Sequence, residues 1–180
     1  CICGSDLWPY RGANDITPGG RIGHEFVGVV AQVGEEVETI RPGDFVIAPF
    51  SWSDNTCRTC RNGIHTACEN GGWWGALDRE GLPVDGGQGE QVRVPLADGT
   101  LVATPSVPTD EQIPDLLALS DVAGTGWHAA QLARVAPGDT VAVIGDGAVG
   151  LCAVLAASDL GATTVIALSR HPDRQALAVE

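Results

Sequence analysis

The sequence predicts an α/β fold in which an irregular β-barrel is followed by one βαβ unit of a parallel sheet. Two changes of pattern along the chain support this class. Between about residue 20 and residue 105, short runs of β-forming residues alternate with glycine- and proline-rich turns. From about residue 113 the pattern changes to helix, strand, helix and strand. We therefore expect two domains, over residues 1–112 and 113–180.

The expected strands of the first domain are three short runs of β-forming sequence, at residues 26–33, 45–48 and 91–94. Turn sequences such as Pro42-Gly43-Asp44 separate them, because proline presets one backbone angle and glycine tolerates a positive one. Runs this short, joined by long loops, indicate a small barrel. We expect the functional residues of this domain to lie in its loops.

The second domain begins with a helical stretch over residues 113–134, which we expect to break at the glycines of 124–126. A Pro-Gly-Asp turn then leads to an apolar strand over 140–144 and a helix over 148–160. A second buried strand follows over 163–168. This order of elements predicts a βαβ unit.

The βαβ unit contains a glycine motif directly after its first strand and at the start of its helix. Gly145 permits a tight turn, Gly147 lets a pyrophosphate approach the backbone, and Gly150 lets helix and strand pack closely. The helix N-terminus adds amide donors and a partial positive charge. The motif therefore predicts that a dinucleotide binds at these three glycines.

The end of the second strand indicates which dinucleotide binds. A ribose-binding Asp or Glu is expected about 20 residues after the glycines, but Ser169 and Arg170 occupy this place. A carboxylate would bond the 2′-hydroxyl and repel a 2′-phosphate, whereas an arginine matches a phosphate in a bidentate fork. The sequence therefore favours NADP over NAD. The alternative is that Arg170 is only a solvated residue at a strand end.

Three cysteines have the C-x2-C-x7-C spacing of a zinc-binding loop that lacks one ligand: Cys57, Cys60 and Cys68. Zinc takes four ligands in a tetrahedron, and short loops between thiolates let the backbone wrap around it. Asp54 is one candidate for the fourth ligand, because it lies three residues before Cys57. His65 is the other, and ligand softness favours it. The alternative is three unpaired thiols.

Composition excludes several classes of partner. The formal net charge of −13 argues against nucleic acid and anionic membranes. The longest apolar stretch, residues 151–157, is far too short to span a bilayer. We expect a cytoplasmic protein that acts on a small molecule. Because the chain opens inside a motif and stops within a predicted helix, we also expect it to be a piece of a longer polypeptide.

Three further motifs complete a recognisable order: Cys3-Gly4-Ser5-Asp6, Gly23-His24-Glu25 and Thr125-Gly126. Taken with the Pro-Gly-Asp turn, the zinc loop and the glycine motif, they resemble the zinc-dependent medium-chain alcohol dehydrogenases over essentially the whole chain. The resemblance implies a GroES-like catalytic domain over residues 1–112, with its N-terminus missing. It also implies a partial dinucleotide-binding Rossmann domain over residues 113–180.

The resemblance implies two zinc sites. The ligands of the catalytic zinc would be Cys3, His24, Asp121 and, as an alternate or outer group, Glu25. For the structural zinc, the family register selects Asp54 as the fourth partner of the three loop cysteines, although the family usually has a cysteine there.

Other residues near the catalytic zinc take roles from the same resemblance. Asp6 would hydrogen-bond His24 and fix the orientation of its ring. Ser5 would bond the substrate oxygen and begin a proton relay. Thr125 would lie near the nicotinamide, and Phe50 would line the substrate pocket.

Trp8 departs from the family pattern, because it stands where the family often ends its proton relay on a histidine. An indole cannot accept a proton, so release of the proton to solvent would use water or another group. We expect that Trp8 narrows the substrate pocket instead, together with Trp52, Trp73 or Trp74.

The resemblance implies a zinc-dependent oxidoreductase that transfers a hydride between an alcohol, aldehyde or ketone and a nicotinamide cofactor, with NADP favoured. Zinc would act as a Lewis acid on the substrate oxygen, and the full-length protein would be a homo-oligomer. A zinc-free quinone reductase of the same superfamily is disfavoured, because it would lack ligands such as Cys3 and His24. An inactive zinc-stapled module that binds a partner is the alternative from a different class.

Overall fold

The computed structural model describes residues 1–14 and 19–179. The chain divides into two compact units, Cys1–Ser120 and Asp121–Glu180. This division falls after residue 120 rather than after the expected residue 112, a difference of eight residues. The helix over Ile113–Ala118 accounts for the difference, because it contacts the strand Phe26–Val29 of the first unit.

The first unit consists of short strands and helices joined by long loops. Its strands are β1 (Phe26–Val29), β2 (Phe45–Ala48), β3 (Ser51–Trp52), β4 (Gly72–Trp73) and β5 (Val102–Ala103). Its helices are α1 (Leu7–Tyr10), α2 (Arg58–Arg61), α3 (Ala97–Thr100) and α4 (Ile113–Ala118). Single 3-10 turns lie at Gly4–Asp6 and His65–Ala67.

Strand β2 is the centre of an antiparallel sheet with the order β1-β2-β5. Phe26 lies opposite Ala48, and Val46 lies opposite Ala103. All four residues of β2 are buried, which explains why its sequence is continuously apolar rather than alternating. The predicted strand over residues 45–48 is thereby confirmed. Strands β3 and β4 form a separate antiparallel pair.

The expected closed barrel is not formed by the described residues of the first unit, which make these two small sheets instead. The strand expected over 26–33 ends at Val29. Beyond it, the Val30 N–H donates to the Asp44 carbonyl and the Gly43 N–H donates to the Val30 carbonyl, both at 2.9 Å. The tight Pro-Gly-Asp turn therefore takes the hydrogen bonds that a longer strand would need.

The strand expected over residues 91–94 is also absent from the described part of the chain. The Arg93 guanidinium instead donates to Asp78 at 2.7 Å and to the Pro83 carbonyl at 3.0 Å. Pro95, directly after the 91–94 segment, has no N–H with which to continue a ladder. This segment is therefore held by side-chain contacts rather than by sheet pairing.

The second unit contains a parallel βαβ arrangement. Its elements are α5 (Val122–Leu132), β6 (Thr140–Ile144), α6 (Ala148–Asp159), β7 (Thr164–Leu168) and α7 (Pro172–Leu177). Strands β6 and β7 pair in parallel, with Ile144 opposite Leu168. The predicted strand over 140–144 is confirmed, and the predicted helix and second strand each differ by one residue at one end. No helix in the described residues is long and apolar enough to cross a membrane.

Helix α5 runs through the two glycines at which we expected a break, so that prediction was wrong. The break lies between α4 and α5, where Asp121 leaves the helical conformation with φ of −150° and ψ of −69°. Gly126 serves close packing instead. A β-carbon there would stand 2.6 Å from the Ala153 nitrogen and 2.7 Å from the Cys152 carbonyl carbon in α6.

Asp98, at the start of α3, accepts hydrogen bonds from the loop before β2. Its carboxylate accepts the hydroxyl and N–H of Thr39 and the N–H of Glu38. These bonds, with the Thr39 hydroxyl first, lower the pKa of Asp98 from 3.8 to about 2. Because the folded pKa is depressed, the ionised group stabilises the fold above about pH 4, and this contribution is lost as the pH falls towards 2.

We therefore expect Asp98→Asn to unfold at lower urea concentration than the wild type at pH 7, with a difference that shrinks between pH 4 and pH 2. Urea unfolding at a series of pH values measures it. Asp110→Asn, at an exposed turn residue, is the control for loss of one negative charge. A difference that stays constant down to pH 2 would contradict the assignment.

Candidate metal centres and cofactor cleft

The first unit brings together three of the residues expected at a catalytic zinc: Cys3, His24 and Glu25. Each offers one ligand atom, and these atoms lie within 4.8 Å of one another. Cys3 lies just before the 3-10 turn Gly4–Asp6, and the other two lie just before β1. A thiolate, an imidazole and a carboxylate are all ligands that zinc takes in proteins.

The buried carboxylate of Asp6 lies beside the His24 ring. The Asp6 carboxylate is 7% exposed, and its Oδ1 lies 3.4 Å from His24 Nδ1. Its other oxygen accepts the backbone N–H of Cys3 at 2.9 Å, so one buried carboxylate contacts two candidate ligands. Because Nδ1 faces Asp6, Nε2 would be the ring nitrogen that binds a metal. The Ser5 hydroxyl lies 3.5 Å from this Nε2.

The environment of the Glu25 carboxylate indicates a cation site. The residue is 4% exposed, and its Oε2 accepts a hydrogen bond from the Cys1 thiol. Its Oε1 is buried and has no hydrogen-bond partner among the residues that the structure describes. An unsatisfied buried carboxylate oxygen is strongly unfavourable. A zinc ion held by these residues would remove that penalty, so the donor set fits the metal.

Asp121 opens the second unit, immediately before α5. Its Oδ1 accepts the hydroxyl of Thr125 at 2.9 Å, one helical turn further on. The preceding residue, Ser120, is 2% exposed. Its carbonyl accepts the N–H of Phe50 at 3.0 Å. The roles of Asp121 at the zinc and of Thr125 near the nicotinamide stay predictions.

Gln88 belongs to the first site and was missed by the sequence reasoning. Its side-chain amide lies 3.3 Å from Asp6 Oδ2, and its backbone N–H donates to the Ile22 carbonyl at 3.0 Å. The signal that could have found it is the run of glycines around it. A side chain at Gly87 would overlap the ring of Phe26, so this segment must pass close to the strand that follows His24.

The second cluster joins Asp54 to the three loop cysteines. Ligand atoms of Asp54, Cys57, Cys60 and Cys68 lie within 4.8 Å of one another. Burial raises the pKa of the Cys60 thiol to about 12, so this sulfur becomes a thiolate only with a cation beside it. Three sulfurs and a carboxylate make a donor set that suits zinc.

Hydrogen bonds within its loop hold the Asp54 carboxylate in place. Oδ1 accepts the backbone N–H groups of Thr56 and Cys57 at 2.9 and 3.0 Å. Oδ2 accepts the side-chain amide of Asn70, a contact that the sequence reasoning missed. Burial would raise the pKa of Asp54, but these bonds outweigh it and hold the pKa well below its usual range. Because Oδ1 already accepts two bonds, Oδ2 is the oxygen with a lone pair left for a cation.

His65, the other candidate for the fourth ligand, is exposed. Its Nε2 lies 2.9 Å from the side-chain oxygen of Asn55. The group of potential ligand atoms around the three sulfurs contains Asp54 and does not contain His65. The geometry therefore favours Asp54 over His65 as the partner of the cysteines.

The glycine motif borders a cleft of about 420 Å³ at the ends of β6 and β7, lined by Ile144, Gly145, Asp146, Leu168, Ser169, Arg170 and His171. Gly145 has a φ of 120°, which a side chain would strain. A β-carbon on Gly150 would overlap the Gly145 carbonyl, so the absence of a side chain at Gly150 lets the start of α6 pack against the turn. Gly147 immediately precedes α6.

Asp146, between the first two glycines, is the third residue that the sequence reasoning missed. Its carboxylate accepts the Ser169 hydroxyl at 2.7 Å and lies 3.2 Å from Arg174. The spacing of residues in the sequence could not predict this contact, because Asp146 and Ser169 follow two different strands.

The tryptophans around the first site differ in environment. Trp8 is 60% exposed, and Trp73 is 56% exposed with its ring stacked 5.8 Å from Phe50. Trp74 packs edge-on against Phe26, and its indole N–H donates to the Pro49 carbonyl. Trp52, Trp73 and Trp74 were the candidates for narrowing a substrate pocket together with Trp8. Of these, Trp73 is exposed and contacts Phe50.

Residues 1–109 match the family described as alcohol dehydrogenase GroES-like domain. The chain therefore belongs to the zinc-type alcohol dehydrogenases with a GroES-like domain, and the resemblance inferred from the order of the motifs is confirmed.

Three relatives illustrate the similarity. The chain is 41% identical to a glutathione-independent formaldehyde dehydrogenase of Pseudomonas aeruginosa, over 98% of this chain and 46% of that protein. The structure of alcohol dehydrogenase TADH from Thermus sp. ATN1 is 38% identical, with a TM-score of 0.86 over 99% of this chain and 50% of that one. A zinc-binding dehydrogenase of Sinorhizobium meliloti 1021 bound to NADP is 30% identical, with a TM-score of 0.79 over 99% and 48%. The chain thus spans about half the length of these relatives.

Proposed function

We propose that the protein containing this chain is a zinc-dependent oxidoreductase that transfers a hydride between an alcohol, aldehyde or ketone and a nicotinamide cofactor, with NADP favoured. The observation that carries the proposal is the cluster around His24. Its ligand atoms lie within 4.8 Å of those of Cys3 and Glu25, and Asp6 engages its other ring nitrogen. Similarity to dehydrogenases over nearly the whole chain supports an enzyme rather than an inactive binding module.

The catalytic zinc would be held by Cys3, His24 and Asp121, with Glu25 as an alternate or outer ligand. Asp121 is included because it stands where the family resemblance places the third protein ligand. The buried, unpartnered Oε1 of Glu25 supports a cation at this cluster. Three protein ligands leave the fourth position to the substrate.

Zinc supplies Lewis-acid polarisation of the substrate oxygen when it is bound. The chain's own residues position the groups around that oxygen. Asp6 keeps Nδ1 of His24 occupied, so that the ring presents Nε2 in one tautomer. The Ser5 hydroxyl, which lies 3.5 Å from Nε2, would exchange a proton with the substrate oxygen. Because the indole of Trp8 cannot accept a proton, release of the proton to solvent would use water or another group.

A second zinc would be structural. Asp54, Cys57, Cys60 and Cys68 supply four protein ligands, and a closed set of four leaves no position for a substrate. This site would hold together the loop between β3 and β4, which contains α2 and a 3-10 turn.

The cofactor would bind at Gly145, Gly147 and Gly150 and lie in the cleft that Gly145 lines. The second unit would be part of a Rossmann domain, and Thr125 would lie near the nicotinamide. NADP is favoured because Ser169 and Arg170 line this cleft. Arg170 makes no ion pair with any residue in the described part of the chain, so its guanidinium is available to a 2′-phosphate. One similar structure is bound to NADP.

The substrate would be a small alcohol or carbonyl compound. The stacked rings of Phe50 and Trp73 would form one apolar wall of its pocket. The net charge of −13 disfavours nucleic acid and anionic membranes as partners. The full-length protein would be a cytoplasmic homo-oligomer.

The test is to measure zinc content and turnover in the full-length protein. We expect two zinc ions per chain, and NADPH-dependent reduction of aldehydes in a panel that runs from formaldehyde to benzaldehyde. NADH in the same assay measures the cofactor preference. One zinc per chain with no turnover of any aldehyde would overturn the proposal.

A further inference from the structure

Asp146 places a carboxylate beside the end of β7, where the strand's own sequence has none. It belongs to the glycine turn after β6, yet its Oδ2 accepts the Ser169 hydroxyl at 2.7 Å. Its Oδ1 lies 3.2 Å from Arg174 Nη1, and its Oδ2 lies 3.9 Å from His171 Nε2. The Asp146 side chain is only 15% exposed. One corner of the cleft therefore already contains an anion.

The Asp146 carboxylate is charged at neutral pH. The hydrogen bond from the Ser169 hydroxyl lowers its pKa most, burial opposes this, and Arg174 and His171 lower the pKa further. Arg174 is thereby paired with Asp146, whereas Arg170 borders the cleft and has no ion pair among residues 1–14 and 19–179. The corner thus presents one uncompensated guanidinium and one carboxylate to an incoming cofactor.

We propose that Asp146 limits the preference of this cleft for a 2′-phosphate. This inference rests on the proposed cofactor site. Ser169 has a single hydroxyl proton and donates it to Asp146, so a phosphate oxygen has to compete for that proton. A phosphate bonded to Ser169 would stand about two hydrogen-bond lengths, roughly 5–6 Å, from the carboxylate. At that separation two anions repel each other.

The same carboxylate favours a cofactor that has a free 2′-hydroxyl. A carboxylate accepts from several donors at once, so Asp146 has lone pairs for a ribose hydroxyl as well as for Ser169. Asp146 therefore acts in the direction of NAD while Ser169 and Arg170 act in the direction of NADP. Asp146→Asn keeps the size of the side chain and removes its charge, so it should shift the balance towards the phosphorylated cofactor.

The experiment compares two ligands that differ by the 2′-phosphate alone, adenosine 2′,5′-bisphosphate and adenosine 5′-monophosphate. Isothermal titration of the full-length protein at fixed ionic strength gives the ratio of their Kd values. We expect Asp146→Asn to raise the preference for the bisphosphate about tenfold, the change that removal of one nearby like charge produces. Asp146→Ser is a second variant that removes the same charge.

Asp173→Asn is the matched control. Asp173 lies in the first turn of α7, two residues after His171, and does not line the cleft, so the variant makes the same change of net charge nearby. An increase confined to the Asp146 variants supports the inference. An unchanged or reduced preference in those variants, or an equal increase with Asp173→Asn, overturns it. If the wild type prefers the monophosphate, the proposed NADP preference fails, and the Asp146 variants still decide the role of this carboxylate.

Discussion

His24→Ala is expected to lower kcat/KM for aldehyde reduction by about three orders of magnitude in the full-length protein. The variant removes one proposed ligand of the candidate catalytic zinc, the ring that lies 3.4 Å from Asp6. Lewis-acid stabilisation of the transition state is worth several kcal/mol, and each 1.36 kcal/mol is about tenfold in rate. Zinc content should fall by one ion per chain. Steady-state kinetics and metal analysis on the same preparation measure both effects.

His128→Ala is the matched control for the loss of an imidazole. His128 is an exposed residue of α5 and is not part of either candidate metal cluster. It should keep both zinc ions and the wild-type kcat/KM. Retention of zinc and turnover by His24→Ala would show that the chemistry does not depend on this cluster.

The sequence predicted strands most accurately where a short apolar run is bounded by clear turn signals. Strand β2 is buried at all four positions and follows a Pro-Gly-Asp turn, and β6 is a short apolar run between a turn and the glycine motif. In both cases the local pattern and the tertiary environment agree. The barrel that we expected is not found in the described residues. The local pattern could not decide this, because closure depends on pairing between distant segments.

Glycine was the least reliable signal for helix boundaries. Gly126 reads as a helix breaker in isolation, but in the structure its missing side chain lets α5 and α6 approach each other. The actual break at residues 119–121 has no glycine or proline in it. The contact between α5 and α6 therefore outweighs the low helix propensity of glycine. The local sequence does not show which helices pack together.

The zinc-loop cysteines could be proposed from local residue types and spacing, whereas the candidate catalytic ligands were proposed from the order of motifs that the family shares. Cys57 and Cys60 are three residues apart, and Glu25 directly follows His24. Asn70, Gln88 and Asp146 were not predicted, because each contacts a residue that is distant in sequence: Asp54, Asp6 and Ser169. Asp146 has the largest consequence for the cofactor. We favoured NADP because the sequence has no carboxylate at the end of β7, and Asp146 supplies one there.

The second large effect is expected for Cys60→Ser, which removes a buried ligand of the candidate structural zinc. Cys60 is 3% exposed and lies within 4.8 Å of the other three ligand atoms. A metal that binds only the folded state stabilises it by about 4 kcal/mol when its free concentration is 1,000 times its Kd. We therefore expect a loss of about 4 kcal/mol in the free energy of unfolding and of one zinc per chain. Urea unfolding and metal analysis measure these losses.

Excess EDTA separates loss of metal from loss of packing, because both proteins are then compared without zinc. The stability difference between wild type and Cys60→Ser should shrink to about 1 kcal/mol, the scale of an ordinary substitution. Cys152→Ser, in α6, is the cysteine control and should keep both zinc ions. Asp54→Ala and His65→Ala then identify the fourth ligand. Loss of one zinc in the Asp54 variant alone would support the geometry, whereas loss in the His65 variant alone would assign the ligand to histidine.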